Sequence, residues 1–187
     1  MTCTFCGSNE KVVPCKQWEA CHACRSVSKK CKKGSGLYYN VVSHEYESEI
    51  SMVSGNAVVF DLHNVVDRFE PKEFVDQIAS AYLLANYTVY VLSYVGSTTG
   101  TRLGAQEFME EIRQHCEDIS CYLCFRRDEK ATPGSKGGFI AQLNAESVVF
   151  FDDGEDHVKS ATAAGAKATL INKDSKRARQ QLLAARP

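Results

Sequence analysis

From Ala57 onward, short apolar runs alternate with stretches of helical periodicity, and that rhythm leaves few folds open. Ala57–Phe60, Thr88–Leu92, Cys121–Phe125, Ser147–Phe151 and Ala168–Ile171 read as strands, rich in residues that suit a pleated sheet. Between them lie helical patterns at Pro71–Ala85, Ala105–Cys116, Ser135–Leu143 and Val158–Ala164, and Ser175–Ala185 reads as a basic terminal helix. Phe74, Ile78, Tyr82 and Ala85 share one face of the first helix, and Phe108, Met109 and Ile112 point inward from the second. Pro71 suits a first helical turn and Gly165 a helix stop. Strands apolar on both faces and separated by helices predict an α/β domain whose parallel sheet is covered on both sides. Ligands of such sheets bind beyond the carboxyl ends of the strands.

The rest of the chain divides by composition. Residues 1–34 are rich in Cys and Lys, 35–56 read as a polar connector with a candidate strand at Leu37–Val42, and 57–187 form the α/β domain. The 187 residues leave room for one ordinary domain and a small appended one, and 44% apolar content is enough for a true core. A net charge of -1 provides no global field toward nucleic acid or membrane. No run approaches the length needed to span a bilayer, so no membrane partner is expected. The chain opens Met1-Thr2-Cys3-Thr4-Phe5-Cys6, without the basic start and apolar run of a secretory leader. An intracellular location, cytoplasm or nucleus, is expected.

Six of the nine cysteines lie in the first 31 residues. Cys3/Cys6 and Cys21/Cys24 are two Cys-x-x-Cys pairs separated by fourteen residues, close to structural zinc spacing. Four thiolates would close a tetrahedral site and supply much of the folding energy of so short a segment. Cys15, Cys31, His22 and His44 are candidates for a second site or simply structural side chains. Cys116, Cys121 and Cys124 read as small apolar residues, the last two on opposite faces of a strand. Arg25, Lys29, Lys30, Lys32 and Lys33 make a basic patch that either engages phosphates or forms a solvated helix face. Trp18 either stacks on a base or packs on the finger. Lys173, Lys176, Arg177 and Arg179 form a second basic stretch with the same two readings.

Two strands run into acids: Val58-Val59-Phe60 into Asp61-Leu62-His63, and Val148-Val149-Phe150-Phe151 into Asp152-Asp153-Gly154. Converging carboxylates can hold a hard cation such as Mg²⁺, although acids there also cap following helices. Ser93 ends the strand after Asp61's, Lys136 opens a later helix, and Ser160–Ala164 precedes Gly165 as a small-residue helix. In this order the four motifs resemble those of the haloacid dehalogenase superfamily. The resemblance covers most of 57–172 and implies a Rossmann-like sheet. The Cys21-His22-Ala23-Cys24-Arg25 stretch is distantly similar to treble-clef fingers of the GATA type.

The resemblance further implies that Asp61 attacks phosphorus and forms an aspartyl-phosphate. Mg²⁺ would be held by Asp61, the His63 carbonyl and Asp153, with a direct or water-mediated contact from Asp152. Ser93 and Lys136 would hold the phosphoryl oxygens, Lys136 rather than Lys130 because it opens the helix. The sequence departs from the family at His63, where the family carries a second Asp. That leaves His63 as a substitute acid, a substrate contact, or a sign of lost hydrolysis. It departs again at His157, four residues after Asp153. Neither gap between motifs can house a cap, so an open mouth and a macromolecular substrate are expected. The leading reading is a Mg²⁺-dependent phosphatase whose zinc module, through Arg25, Lys29 and Lys30, delivers a macromolecular phosphate ester such as an RNA or DNA end. The alternatives are a retired phosphatase fold serving as a zinc-finger binding module for RNA or protein, and a metal-dependent transferase.

Overall fold

Alternate residues of each core strand feed opposite faces of one sheet, so the chain builds two apolar layers rather than one. The computed structural model describes residues 12–15, 18–21, 36–96 and 99–187. In the first of these, β1 (Val12–Cys15) pairs antiparallel with β2 (Trp18–Cys21), Val12 opposite Cys21.

The remaining strands are β3 (Tyr38–Asn40), β4 (Glu45–Glu47), β5 (Asn56–Phe60), β6 (Tyr87–Tyr94), β7 (Ser120–Cys124), β8 (Ser147–Asp152) and β9 (Lys167–Leu170). They form one seven-stranded sheet of order β4-β3-β7-β6-β5-β8-β9. The run from β7 to β9 is parallel throughout. Its order is Rossmann-like, with the connections reversing direction at β5, so that β5 lies between β6 and β8. The crevice at such a switch point is where α/β sheets bind ligands.

The predicted strands and helices are present, with ends moved by a few residues. Helix α1 runs from Pro71–Phe74 through a π-helical turn at Val75–Ala79 to Ser80–Leu84. There the Ser80 hydroxyl donates 2.7 Å to the Val75 carbonyl. Helices α2 (Thr99–His115), α3 (Lys136–Leu143), α4 (Glu155–Ala163) and α5 (Ser175–Ala184) follow. One face of the sheet, with Val58, Phe60, Val91 and Leu123, packs with Phe74, Ile78 and Tyr82 of α1, Met109 and Ile112 of α2, and Leu182 of α5. The other, with Val59, Tyr90, Leu92 and Phe150, packs with Phe139, Ile140 and Leu143 of α3 and Ala161 of α4. In α2 it is Met109 and Ile112 that are fully buried, while Phe108 is only partly so. Cys121 and Cys124 are buried on opposite faces, as alternation requires, and burial pushes both thiols up to about 12. No helix among the described residues is long and apolar enough to cross a membrane.

Within the stretch read as a connector, 35–56, the candidate strand at Leu37–Val42 is present as β3, and with β4 it adds two antiparallel strands to the sheet. β3 pairs with β7 and with β4, and Tyr38 and Tyr39 are completely buried. The three-residue β4 is too short and polar to show a period, and the full burial of the β3 tyrosines comes from the sheet edge that they cover. His44, a candidate zinc ligand, belongs to this edge. It takes a left-handed backbone (φ 58) and sets Nδ1 3.1 Å from the Tyr39 hydroxyl.

Candidate functional site

The ladder between β5 and β8 brings the two acidic stretches together. Phe60 lies beside Phe151, and the Asp61 amide donates 2.8 Å to the Phe151 carbonyl. Asp152 ends β8 fully buried, Asp61 is 4% exposed, and Asp153 is half-buried. Each of the three presents a ligating oxygen, all within 4.8 Å of one another. Among the described residues this is the group that could hold a metal ion, and oxygen ligands alone suit a hard cation.

Lys136 stands in the same cluster and is 1% exposed. Its ammonium donates to Asp61 Oδ1 and, at 2.5 Å, to Asp152 Oδ2. The local sequence Ser135-Lys136-Gly137-Gly138 explains how a lysine comes to be buried there. Ser135 caps α3, its hydroxyl accepting from the Gly138 amide at 3.0 Å. A Cβ on Gly137 would lie 2.3 Å from the Ser160 carbonyl of α4, and one on Gly138 would lie 2.0 Å from the Thr132 carbonyl. The two glycines therefore let the start of α3 press backbone to backbone against its neighbours. Tyr38 fixes this start from β3: its hydroxyl donates to the Ser135 carbonyl and accepts from the Gly134 amide, both at 2.9 Å.

Gly137→Ala provides a direct test of that packing. In an exposed helix the change would stabilise by up to about 1 kcal/mol. Here the clash is with backbone, and a loss of about 1–3 kcal/mol is expected, read as a lower urea midpoint. An unchanged or higher midpoint would refute the close approach.

One ammonium shared by two buried carboxylates divides its effect unequally. Burial opposes ionisation of Asp152, but Lys136, with His157 adding, more than offsets it and holds that carboxyl below the usual range. For Asp61, burial outweighs Lys136, and the nearby Asp152 and Asp153 charges push the same way, so its pKa lies above the usual range. Burial works against the charge on Lys136 too, yet Asp152 and Asp61 raise its pKa. The ammonium thus stays charged and Asp152 takes the larger share of it.

A cavity of about 680 Å³ opens beside this cluster, lined among others by Asp61, His63, Asn64, Tyr94, Arg127, Asp153, His157 and Lys173. His63 Nδ1 lies 3.7 Å from Asp67, whose carboxylate raises the imidazole pKa against the cost of burial. Asn64, in a left-handed conformation (φ 60), donates 2.9 Å to Asp153 and accepts 2.9 Å from Arg68. It ties the loop after β5 to the loop after β8. His157 places Nδ1 3.2 Å from both Asp152 oxygens. Arg127 pairs with Asp156 and lies 5.9 Å from the Tyr94 ring centroid. Sequence reasoning missed Asn64, Tyr94, Arg127 and the supporting Tyr38, since none sits at a strand-end acid or a helix start.

Of the predicted site residues, the fold brings Asp61, His63, Lys136, Asp152 and Asp153 together. Ser93 is completely buried, one residue before the end of β6, and its hydroxyl has no partner among the described residues. Lys130 stays on the surface. In the terminal basic stretch Arg179 serves structure, donating 3.0 Å to Glu73 and lying 4.2 Å over the Phe69 ring, while Lys173 reaches the cavity. The predicted zinc ligands Cys3, Cys6 and Cys24, and Arg25, Lys29 and Lys30, lie outside the described residues; Cys21 is described only as the last residue of β2. The chain matches no family model, no curated protein and no solved structure in comparisons with each.

Proposed function

We propose that the chain is a Mg²⁺-dependent phosphatase of the haloacid dehalogenase type, acting through an aspartyl-phosphate on a macromolecular phosphate ester. The observation that carries this reading is the meeting of Asp61, Asp152 and Asp153 around the buried Lys136 at the switch point of the sheet. Three carboxylates offering oxygen within 4.8 Å fit a hard divalent cation. In this reading Asp61, Asp152, Asp153 and the His63 carbonyl hold Mg²⁺, which supplies positive charge to offset that of the phosphoryl oxygens.

The chain's own residues do the rest. An Asp61 oxygen attacks phosphorus, forming an O–P bond as the bond to the ester oxygen breaks. His63, on the cavity wall, gives that leaving oxygen its proton. Water then gives a proton back to His63 as it attacks phosphorus of the aspartyl-phosphate, releasing inorganic phosphate and restoring both Asp61 and His63. Lys136 stabilises charge on the phosphoryl oxygens, and the unpartnered Ser93 hydroxyl is a second donor for them. At the mouth the Lys173 ammonium favours an anionic substrate, Arg127 being already paired with Asp156, and nucleic-acid ends belong to the classes it would admit.

The test is Mg²⁺-dependent phosphate release from an aryl phosphate, a phosphopeptide and a 3′-phosphorylated oligonucleotide. The fastest of the three identifies the class. A folded protein that binds Mg²⁺ but releases phosphate from none of them would leave the binding-module reading, which His63 and His157 favour by departing from the family's acids. The same proposal assigns a structural zinc to Cys3, Cys6, Cys21 and Cys24. Metal analysis of the whole chain is expected to find at least one zinc per chain, reduced in Cys3→Ser and Cys24→Ser; zinc content indifferent to both changes would remove the assignment.

A further inference from the structure

The cations around the mouth of the cavity divide by side. In the sheet, β6 and β7 lie on one side of β5 and β8, and β9 lies on the other. On the β7 side Arg126 faces Asp128, Arg127 faces Asp156 and Lys159 faces Glu129. On the β9 side, the loop into α5 and the first turn of that helix carry Lys173, Lys176 and Arg177, all exposed. Arg68 lies against them: its guanidinium donates 3.2 Å to the Lys173 carbonyl, and its own carbonyl accepts 2.7 Å from Arg179 of α5. None of Arg68, Lys173, Lys176 and Arg177 has a carboxylate partner among the described residues. The acids next to them in sequence are engaged elsewhere. Asp174 caps α5, accepting 2.9 Å from the Arg177 amide, and Asp67 faces His63.

Like charges gathered on one surface without counter-charges raise the local potential and draw in anions. Their placement says which anion. Lys173 lines the same cavity as Asp61, and Lys176 and Arg177 follow it three and four residues on, so the cationic strip begins at the site and runs outward. Leu170, 44% exposed, adds an apolar wall at the same edge. A phosphopeptide presents its charge mainly at the phosphate, whereas a nucleic-acid strand carries one charge at each nucleotide. Only the strand has further phosphates to lay along such a strip.

We propose that the rim formed by the end of β9 and the start of α5 is the path along which a nucleic-acid strand leaves the site: with its terminal phosphate at Asp61, the strand lays its next phosphates over Lys173, Lys176 and Arg177. Arg68, already bonded to Asn64 and to the Lys173 carbonyl, adds charge beside them. The inference rests on the phosphatase reading and names its substrate, a strand rather than a mononucleotide or a phosphopeptide. Contacts of this kind go to phosphate, so the preference is independent of base sequence.

The test uses the full chain with Mg²⁺ and compares kcat/KM for a short single-stranded oligonucleotide with a terminal 3′-phosphate, the matching nucleoside 3′-monophosphate and a phosphopeptide. The oligonucleotide is expected to exceed the mononucleotide by about tenfold at roughly 0.1 M salt. The logarithm of that ratio is expected to fall linearly with the logarithm of salt concentration. The double variant Lys176→Gln/Arg177→Gln is expected to bring the ratio close to one and to reduce the salt slope by about 1.4, roughly 0.7 for each cation removed. Both replaced side chains are exposed, so the fold is kept, which an unchanged Tm checks. Lys130→Gln, which removes an exposed charge from the β7 side, is expected to leave the ratio in place. Equal kcat/KM for oligonucleotide and mononucleotide, a loss in Lys130→Gln as large as in the double variant, or a phosphopeptide turned over faster than the oligonucleotide would overturn the path while leaving the phosphatase reading intact. No phosphate release from any of the three would overturn both.

Discussion

Asp61→Asn is expected to lower kcat/KM for phosphate release by at least about 10⁴-fold, the scale seen when a nucleophile that works as part of a unit is removed. The amide cannot form the aspartyl-phosphate, and it also gives up one of the three carboxylates at the site. Its packing should survive, because asparagine nearly matches aspartate in shape and Lys136 retains Asp152 as a partner at 2.5 Å. The variant should therefore melt close to the wild type while losing activity, a separation that neither a folding defect nor a contaminating phosphatase would produce. Retention of more than a tenth of the activity would exclude Asp61 as nucleophile. Asp61 would then serve only as a partner of Lys136 and a member of the carboxylate cluster.

The second large effect concerns stability. Lys136→Met replaces a buried cation with an apolar chain of similar length and leaves Asp61 and Asp152 facing each other without a counter-charge. Breaking a buried ion pair by removing one partner costs about 3–5 kcal/mol, which in a chain of this size lowers Tm by about 10 °C. The loss should depend on pH. In the wild type, Asp152 is held below its unfolded pKa. Its contribution is complete above the unfolded value of about 3.9 and fades as pH falls toward the lower folded one. Burial already places Asp61 above its unfolded value in the wild type; in Lys136→Met, burial and mutual repulsion raise it further and raise Asp152 as well, so the variant gains more stability than the wild type as pH falls through those values. The difference in Tm between the two proteins should therefore be greatest near pH 7 and close as pH falls toward 4. A constant difference would mean that the lysine contributes packing rather than charge.

Much of this arrangement can be read from short stretches of the chain. Pro71 begins α1, Asp61 follows one apolar strand and Asp152 ends another, and Lys136 opens α3, all close to what local pattern suggests. Cys121 and Cys124 separate to opposite faces because a strand alternates. The failures are equally physical. The candidate strand at Leu37–Val42 is present as β3, but nothing local marks it as part of the sheet, and only its place against β7 explains two fully buried tyrosines. Arg179 reads as one cation in a basic helix, yet its charge goes to Glu73 and its flat face to Phe69. The expected strand end at Leu92 falls short, since β6 runs on to Tyr94 and leaves Ser93 wholly buried.

Periodicity in the chain is enough to dictate the order of the five parallel strands and their helices and the two apolar faces of the sheet. These features depend on neighbours a few positions apart, where burial and backbone geometry act directly. Strand order is different in kind, because it depends on which edges pair after distant surfaces have packed. Only the tertiary structure sets β5 against β8, closes Asp61 and Asp152 on one buried lysine, and turns His157 toward Asp152. It also brings Tyr38, from outside the α/β repeat, to hold the turn that delivers that lysine. A buried charge is tolerated only where partners converge from several segments at once, and no single segment of sequence contains that convergence.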